Sequence, residues 1–149
     1  EALEEASVTH LQIPFNLLDH RWRSESFQVA RASRPDVVVY GRSAYLQGIL
    51  IAEADAWPTG EGYDAKQIVG KLDSLVKYFG RKGRADLCIA YAQASDLVDT
   101  IVMGVETIAQ LNENLLLGCQ PPLSQSEVQL VNDTFCDAPV CLLDPSQWT

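Results

Sequence analysis

Three short apolar runs in this chain are each accompanied by polar side chains able to hold a ligand. Gln12 and Asn16 lie at the end of the first, Arg42, Ser43 and Gln47 follow the second, and Gly104, Thr107, Gln110, Glu113 and Asn114 follow the third. These are amides, hydroxyls, a carboxylate and a guanidinium, groups that bind and orient a ligand through hydrogen bonds. The stretch from Val98 to Asn114 reads as a buried strand, a tight turn at Gly104, and a helix opened by a capping box of Thr107 and Gln110. A strand running straight into a helix N-terminus is where α/β folds take phosphate-bearing ligands. Metal and disulfide chemistry find no pattern. Cys88, Cys119, Cys136 and Cys141 form no Cys-x-x-Cys pair, and His10 and His20 are the only histidines.

The elements that must position these residues follow from periodicity. Val8 to Ile13 alternates and meets Pro14, a short strand. Residues 24–32 are a weak helix candidate, closed by Arg34-Pro35. Val37-Val38-Val39-Tyr40 is an unbroken run suited to a parallel strand covered on both faces. Ala44 to Ile51 is expected as a short helix, and Trp57 to Tyr63 as a loop. A long helix starts at Asp64 with Ile68, Leu72, Leu75, Val76 and Phe79 on one stripe, and another spans about Arg84 to Ala94. After the third strand, the helix opened by Thr107 is expected to bury Ile108, Leu111 and Leu115. Ser124 and Glu127 cap a last helix with Val128, Val131 and Phe135 inward, and the tail through Trp148 packs over the body. Strands separated by helices imply parallel β/α units, an α/β fold. Three such strands leave two open edges, so the sheet is expected to be completed by further strands.

The three strand-end motifs, in this order, resemble the C-terminal half of the aldo/keto reductase superfamily. Leu11-Gln12-Ile13-Pro14-Phe15-Asn16 is similar to that family's sixth strand, Val39 to Leu50 to its seventh strand and loop, and Gly104 to Asn114 to its eighth strand and cofactor-clamping helix. The resemblance implies that residues 1–149 form the C-terminal portion, about strands 6–8 with their helices, of a (β/α)8 TIM-type barrel, with residues 120–149 as a helix and tail packed on it. It implies binding of NADP or NAD, with Gln12 on the nicotinamide carboxamide and Arg42 stacked on the ring beside Ser43. Gly104, Val105 and Thr107 would line the pyrophosphate and ribose, and Gln110, Glu113 and Asn114 the adenine end. Members strict for the 2′-phosphate often carry Lys at the position of Gly104 and Arg at that of Gln110. Both are uncharged here, which implies a relaxed cofactor preference. The family's catalytic Asp, Tyr, Lys and His lie in its first four β/α units, which nothing in this chain matches. The implied whole is an oxidoreductase acting on a small-molecule carbonyl, with the catalytic tetrad and the missing N-terminal half of the barrel outside this chain. A catalytically inactive dinucleotide-binding regulatory or redox-sensing module on the same fold is the alternative.

Each residue also has a plainer reading. Gln12 could satisfy a buried backbone group, Arg42 could pair with a loop carboxylate, and Gln110 could serve only the capping box. Asp99 reads as a strand-start cap and Tyr45 as loop packing. Bulk properties narrow the rest. With 149 residues, 47% apolar and 21% charged, the chain can bury a core, and its net charge of −9 without a basic stripe argues against nucleic acid and anionic membrane surfaces. No apolar run is long enough to span a bilayer. The cysteines read as reduced thiols of a cytoplasmic protein, with a Cys136–Cys141 bridge as the alternative.

Overall fold

The computed structural model describes residues 2–60 and 62–148. Three parallel strands, β1 (His10–Pro14), β2 (Val38–Arg42) and β3 (Thr100–Val102), lie in the order β1-β2-β3. Gln12 is in register with Tyr40, and Tyr40 with Thr100; one step further on, Pro14 pairs with Arg42, and Arg42 with Val102. The six helices are α1 (Glu25–Ala32), α2 (Ala65–Tyr78), α3 (Arg84–Gln93), α4 (Ile108–Gly118), α5 (Gln125–Thr134) and the short α6 (Val140–Leu143). Both strand pairs are parallel and joined through helices, which is the α/β arrangement the sequence implied.

The sheet has one dry face. Ile13, Val37, Val39 and Gly41 are buried on it, where a Cβ at Gly41 would come within 3.2 Å of Phe15. The core continues outward through Leu17, Leu18, Leu50, Leu72, Leu87, Val131 and Leu142. α3 is buried on every side from Asp86 to Ala92, because α2, α4 and the strands surround it. The opposite face is open: His10, Gln12, Arg42, Thr100 and Val102 are exposed along it. A β-branched run was expected to be covered on both faces, and only one is covered in this chain. β3 is correspondingly a short, half-exposed strand rather than the buried strand expected over residues 98–103.

Local chemistry sets the helix boundaries. Asp64 accepts from the Lys66 and Gln67 amides to open α2, and full capping boxes open α4 (Thr107 with Gln110) and α5 (Ser124 with Glu127). In the tail, Leu142 and Leu143 are buried and the Trp148 indole donates to the Leu142 carbonyl at 3.2 Å.

Two further expectations fail. Residues 44–51 are not an α-helix: only Ile49–Ile51 makes a 3-10 turn, and the backbone before it is left-handed at Ser43, Leu46 and Gln47. The apolar spacing there reflects Ala44, Leu46, Ile49 and Leu50 entering the core from a tight coil. Nor does α4 bury its apolar face. Ile108 is 78% exposed and Leu115 61%, Leu111 is also exposed, and Leu117 is the helix's buried residue. Periodicity fixed which face is apolar, and nothing among the described residues covers it.

Cys88, Cys119 and Cys136 are free thiols, so the alternative Cys136–Cys141 bridge does not form. Among the described residues no helix is long and apolar enough to cross a membrane.

Candidate functional site

The C-terminal ends of β2 and β3 open into one groove of about 660 Å³. Arg42, Ser43, Gly104, Val105, Gln110, Glu113 and Asn114 line it together, joined by Tyr45, Gln47, Met103 and Glu106. One wall is the coil after β2. Ser43 (φ 60°), Leu46 (φ 45°) and Gln47 (φ 55°) are left-handed without being glycine, a conformation that costs about 1–2 kcal/mol per residue and survives only where the surroundings enforce it. Leu46 is held by burial at 1% exposure, and the turn is closed by Leu46 N–H donating to Ser43 O (2.8 Å) and Gly48 N–H to Tyr45 O (2.9 Å).

The other wall is the start of α4. Gln110 Oε1 accepts from the amides of Glu106 (2.7 Å) and Thr107 (3.1 Å), while the Gln110 amide donates to Thr107 Oγ1 (3.2 Å). The capping box therefore occupies the first donors a phosphate would use. The amides of Ile108 and Ala109 have no acceptor among the described residues, but neither residue lines the groove. Thr107, expected at the site, is taken up as the helix cap and does not line the groove.

Arg42 is exposed, has no ion-pair partner among the described residues, and donates through Nη1 to Ser43 Oγ at 3.2 Å. It lines the groove as a cation, together with the carboxylate residues Glu106 and Glu113. Across the groove, the Tyr45 hydroxyl donates to Asn114 Oδ1 at 3.0 Å. Burial, with the nearby Cys88 and Glu113, pushes that hydroxyl well above the ordinary phenol range, so it stays a donor.

Gln12 does not join this lining. It is exposed on β1 beside a separate cleft walled by Leu3, Leu11, Trp22 and Phe27. It shares the open sheet face with Arg42, one strand across and one row back, roughly 8 Å by strand spacing. Asn16, by contrast, is buried away from the groove: its Oδ1 accepts from the Leu18 and Asp19 amides, while its Nδ2 has no partner among the described residues. Asp99 is also structural, taking Arg31 and the Val39 amide. Ala85 reaches the groove from α3, which no local sequence signal foretells, whereas Glu106 could have been found as the residue just before the cap. Among the described residues no group of His, Cys, Asp and Glu is placed to hold a metal ion.

The comparisons with known proteins agree with this arrangement at the level of family and fold. The family model for the aldo/keto reductase family matches residues 1–134, and the chain belongs to that family. Its structure is similar to the apo form of the aldo-keto reductase AKR11C1 from Bacillus halodurans, with a TM-score of 0.66 at 22% identity over 89% of this chain. The holo form of the same protein gives 0.65 at 22% identity. The chain spans 45% of the length of that apo structure. No curated protein matches.

Proposed function

We propose that this chain is the C-terminal, cofactor-holding portion of a (β/α)8 aldo/keto reductase, with β1, β2 and β3 as strands 6, 7 and 8 of the barrel. Residues 120–149 cover it as a helix and tail. The observation that carries the reading is the single groove at the ends of β2 and β3, where polar residues picked out by sequence from two distant segments face one another. Parallel barrels build their active sites at this end of the sheet. The open sheet face and the outer edges of β1 and β3, unpaired among the described residues, support a sheet completed by the remaining strands.

The groove suits an extended dinucleotide in volume and in donor set. A nicotinamide dinucleotide supplies hydride chemistry when bound. Arg42 would lie along the nicotinamide ring through its planar guanidinium, with Ser43 fixing its direction. Gln12, on the neighbouring strand, would meet the carboxamide. Gly104 and Val105 would lie along the pyrophosphate, and phosphate oxygens reaching past the groove's lining would meet Thr107 and the free amides of Ile108 and Ala109. Glu113 and Asn114 would hold the adenine edge. The only cation lining the groove among its described residues is Arg42, and Glu106 and Glu113 oppose a 2′-phosphate, so the reading includes a relaxed or NAD-leaning preference. The substrate class is a small carbonyl compound, its protonation left to residues outside this chain.

The test is direct. Titration of the full-length protein with both dinucleotides, followed by turnover on a panel of aldehydes and ketones, should give binding and cofactor-dependent reduction. Binding without turnover would leave a dinucleotide-binding module; no binding of either cofactor would sink the reading altogether.

A further inference from the structure

Tyr45 sits at the middle of the left-handed coil after β2, between residues whose backbone is held in an uncommon conformation. The burial of Ala44 and Leu46 on either side fixes where its ring can go. The ring spans the groove, and its hydroxyl meets Asn114 Oδ1 on α4. Among the described residues no other hydrogen bond joins the residue 43–48 coil to α4. Asn114 has no other side-chain partner there, so its Nδ2 keeps both protons to give.

We propose that Tyr45 is a positioning residue for the adenine end of the groove: by donating to Asn114 Oδ1 it sets the amide so that Nδ2 remains the ligand-facing donor next to the Glu113 carboxylate. A donor beside an acceptor complements an aminopurine edge, which pairs a ring-nitrogen acceptor with an exocyclic amine. Without the hydroxyl the amide is free to turn, and half of its orientations offer an acceptor where a donor is needed. This inference rests on the reading of the groove as a dinucleotide site.

The experiment compares wild type, Tyr45→Phe, Asn114→Ala and the double variant in the full-length protein. Calorimetry would follow the adenine dinucleotide and nicotinamide mononucleotide, which lacks adenine. Tyr45→Phe should raise the dinucleotide Kd about fivefold and leave the mononucleotide Kd unchanged. The double variant should be no weaker than Asn114→Ala alone, because both remove the same interaction. A wild-type Kd for Tyr45→Phe, or additive effects of the two changes, overturns the inference while leaving the dinucleotide reading intact. Should Tyr45→Phe fail to fold, Asn114→Asp decides, since it keeps the acceptor for Tyr45 and loses the donor: unchanged dinucleotide affinity overturns the inference. Wild type that binds no dinucleotide removes the groove reading and this role with it.

Discussion

Arg31 and Asp99 meet in a two-pronged ion pair, with one guanidinium nitrogen 2.9 Å from both carboxylate oxygens. The same carboxylate accepts the Val39 amide at 2.7 Å, and the Asp99 amide returns a bond to Val39 O at 2.8 Å. One side chain thus ties the end of α1 to the starts of β2 and β3.

Replacing Asp99 should therefore loosen the fold and spare the groove at the other strand ends. Asp99→Ala is expected to lower unfolding free energy by about 2 kcal/mol, and Asp99→Asn by about half that because an acceptor for Val39 survives. Urea denaturation measures both. Dinucleotide affinity should not change at temperatures where the variants remain folded.

Cofactor choice should respond to charge at the helix entrance. A Cβ at Gly104 meets nothing within 4 Å, so Gly104→Lys is sterically tolerated. It should shift the Kd ratio of the two dinucleotides toward the 2′-phosphorylated form by about tenfold, ~1.4 kcal/mol, and the shift should shrink in high salt. Parallel titrations at low and high ionic strength check this.

Cys88 should mark the alkaline limit of stability. Burial pushes its thiol up to about 12. In the unfolded chain the thiol ionises near its ordinary value of 9.0 while the folded state keeps its proton. The unfolded state then holds fewer protons, so stability is intact below that value and falls as pH rises toward about 12. Chemical denaturation across this window should show the decline in wild type and a flatter profile in Cys88→Ala. Thiol reagents should modify the exposed Cys119 and Cys136 rapidly and Cys88 only on unfolding.

The uncovered face of α4 offers a check on the barrel itself. Leu115 is 61% exposed in this chain, where its truncation to alanine would change stability by under about 0.5 kcal/mol. If the rest of a barrel covers that face, Leu115→Ala in the full-length protein should cost about 2 kcal/mol or more. Thermal or urea unfolding of the full-length variant decides.

What sequence could read was the local chemistry. Asp64, Thr107 with Gln110, and Ser124 with Glu127 each satisfy helix-end amides a few residues away, so the starts of α2, α4 and α5 were legible without any tertiary information. The β-branched run at Val37 announced β2 for a similar reason. The coil at 44–51 was not legible: its apolar spacing imitates a helix, while Leu46 and Gln47 adopt a conformation that residue type argues against. The exposure of Ile108 and Leu115 was equally hidden, because a pattern says which side is apolar and not what lies against it. For the groove, residue types after the second and third strands picked out Arg42, Ser43 and much of the α4 wall, those of the first strand did not join it, and the link from Tyr45 to Asn114 depends on packing between segments 69 residues apart.

Gln47 places a constraint on how this chain can evolve. It is exposed and left-handed at a position where glycine would sit without strain, and it also lines the groove. Glycine there would gain roughly 0.5–1 kcal/mol after its own entropy loss is counted. Lineages selected in the laboratory for heat resistance alone should fix glycine at this position early and keep Leu46, whose side chain the core requires. Lineages selected for ligand binding as well should retain glutamine, and the divergence between the two would locate the boundary between what the fold prefers and what the groove demands.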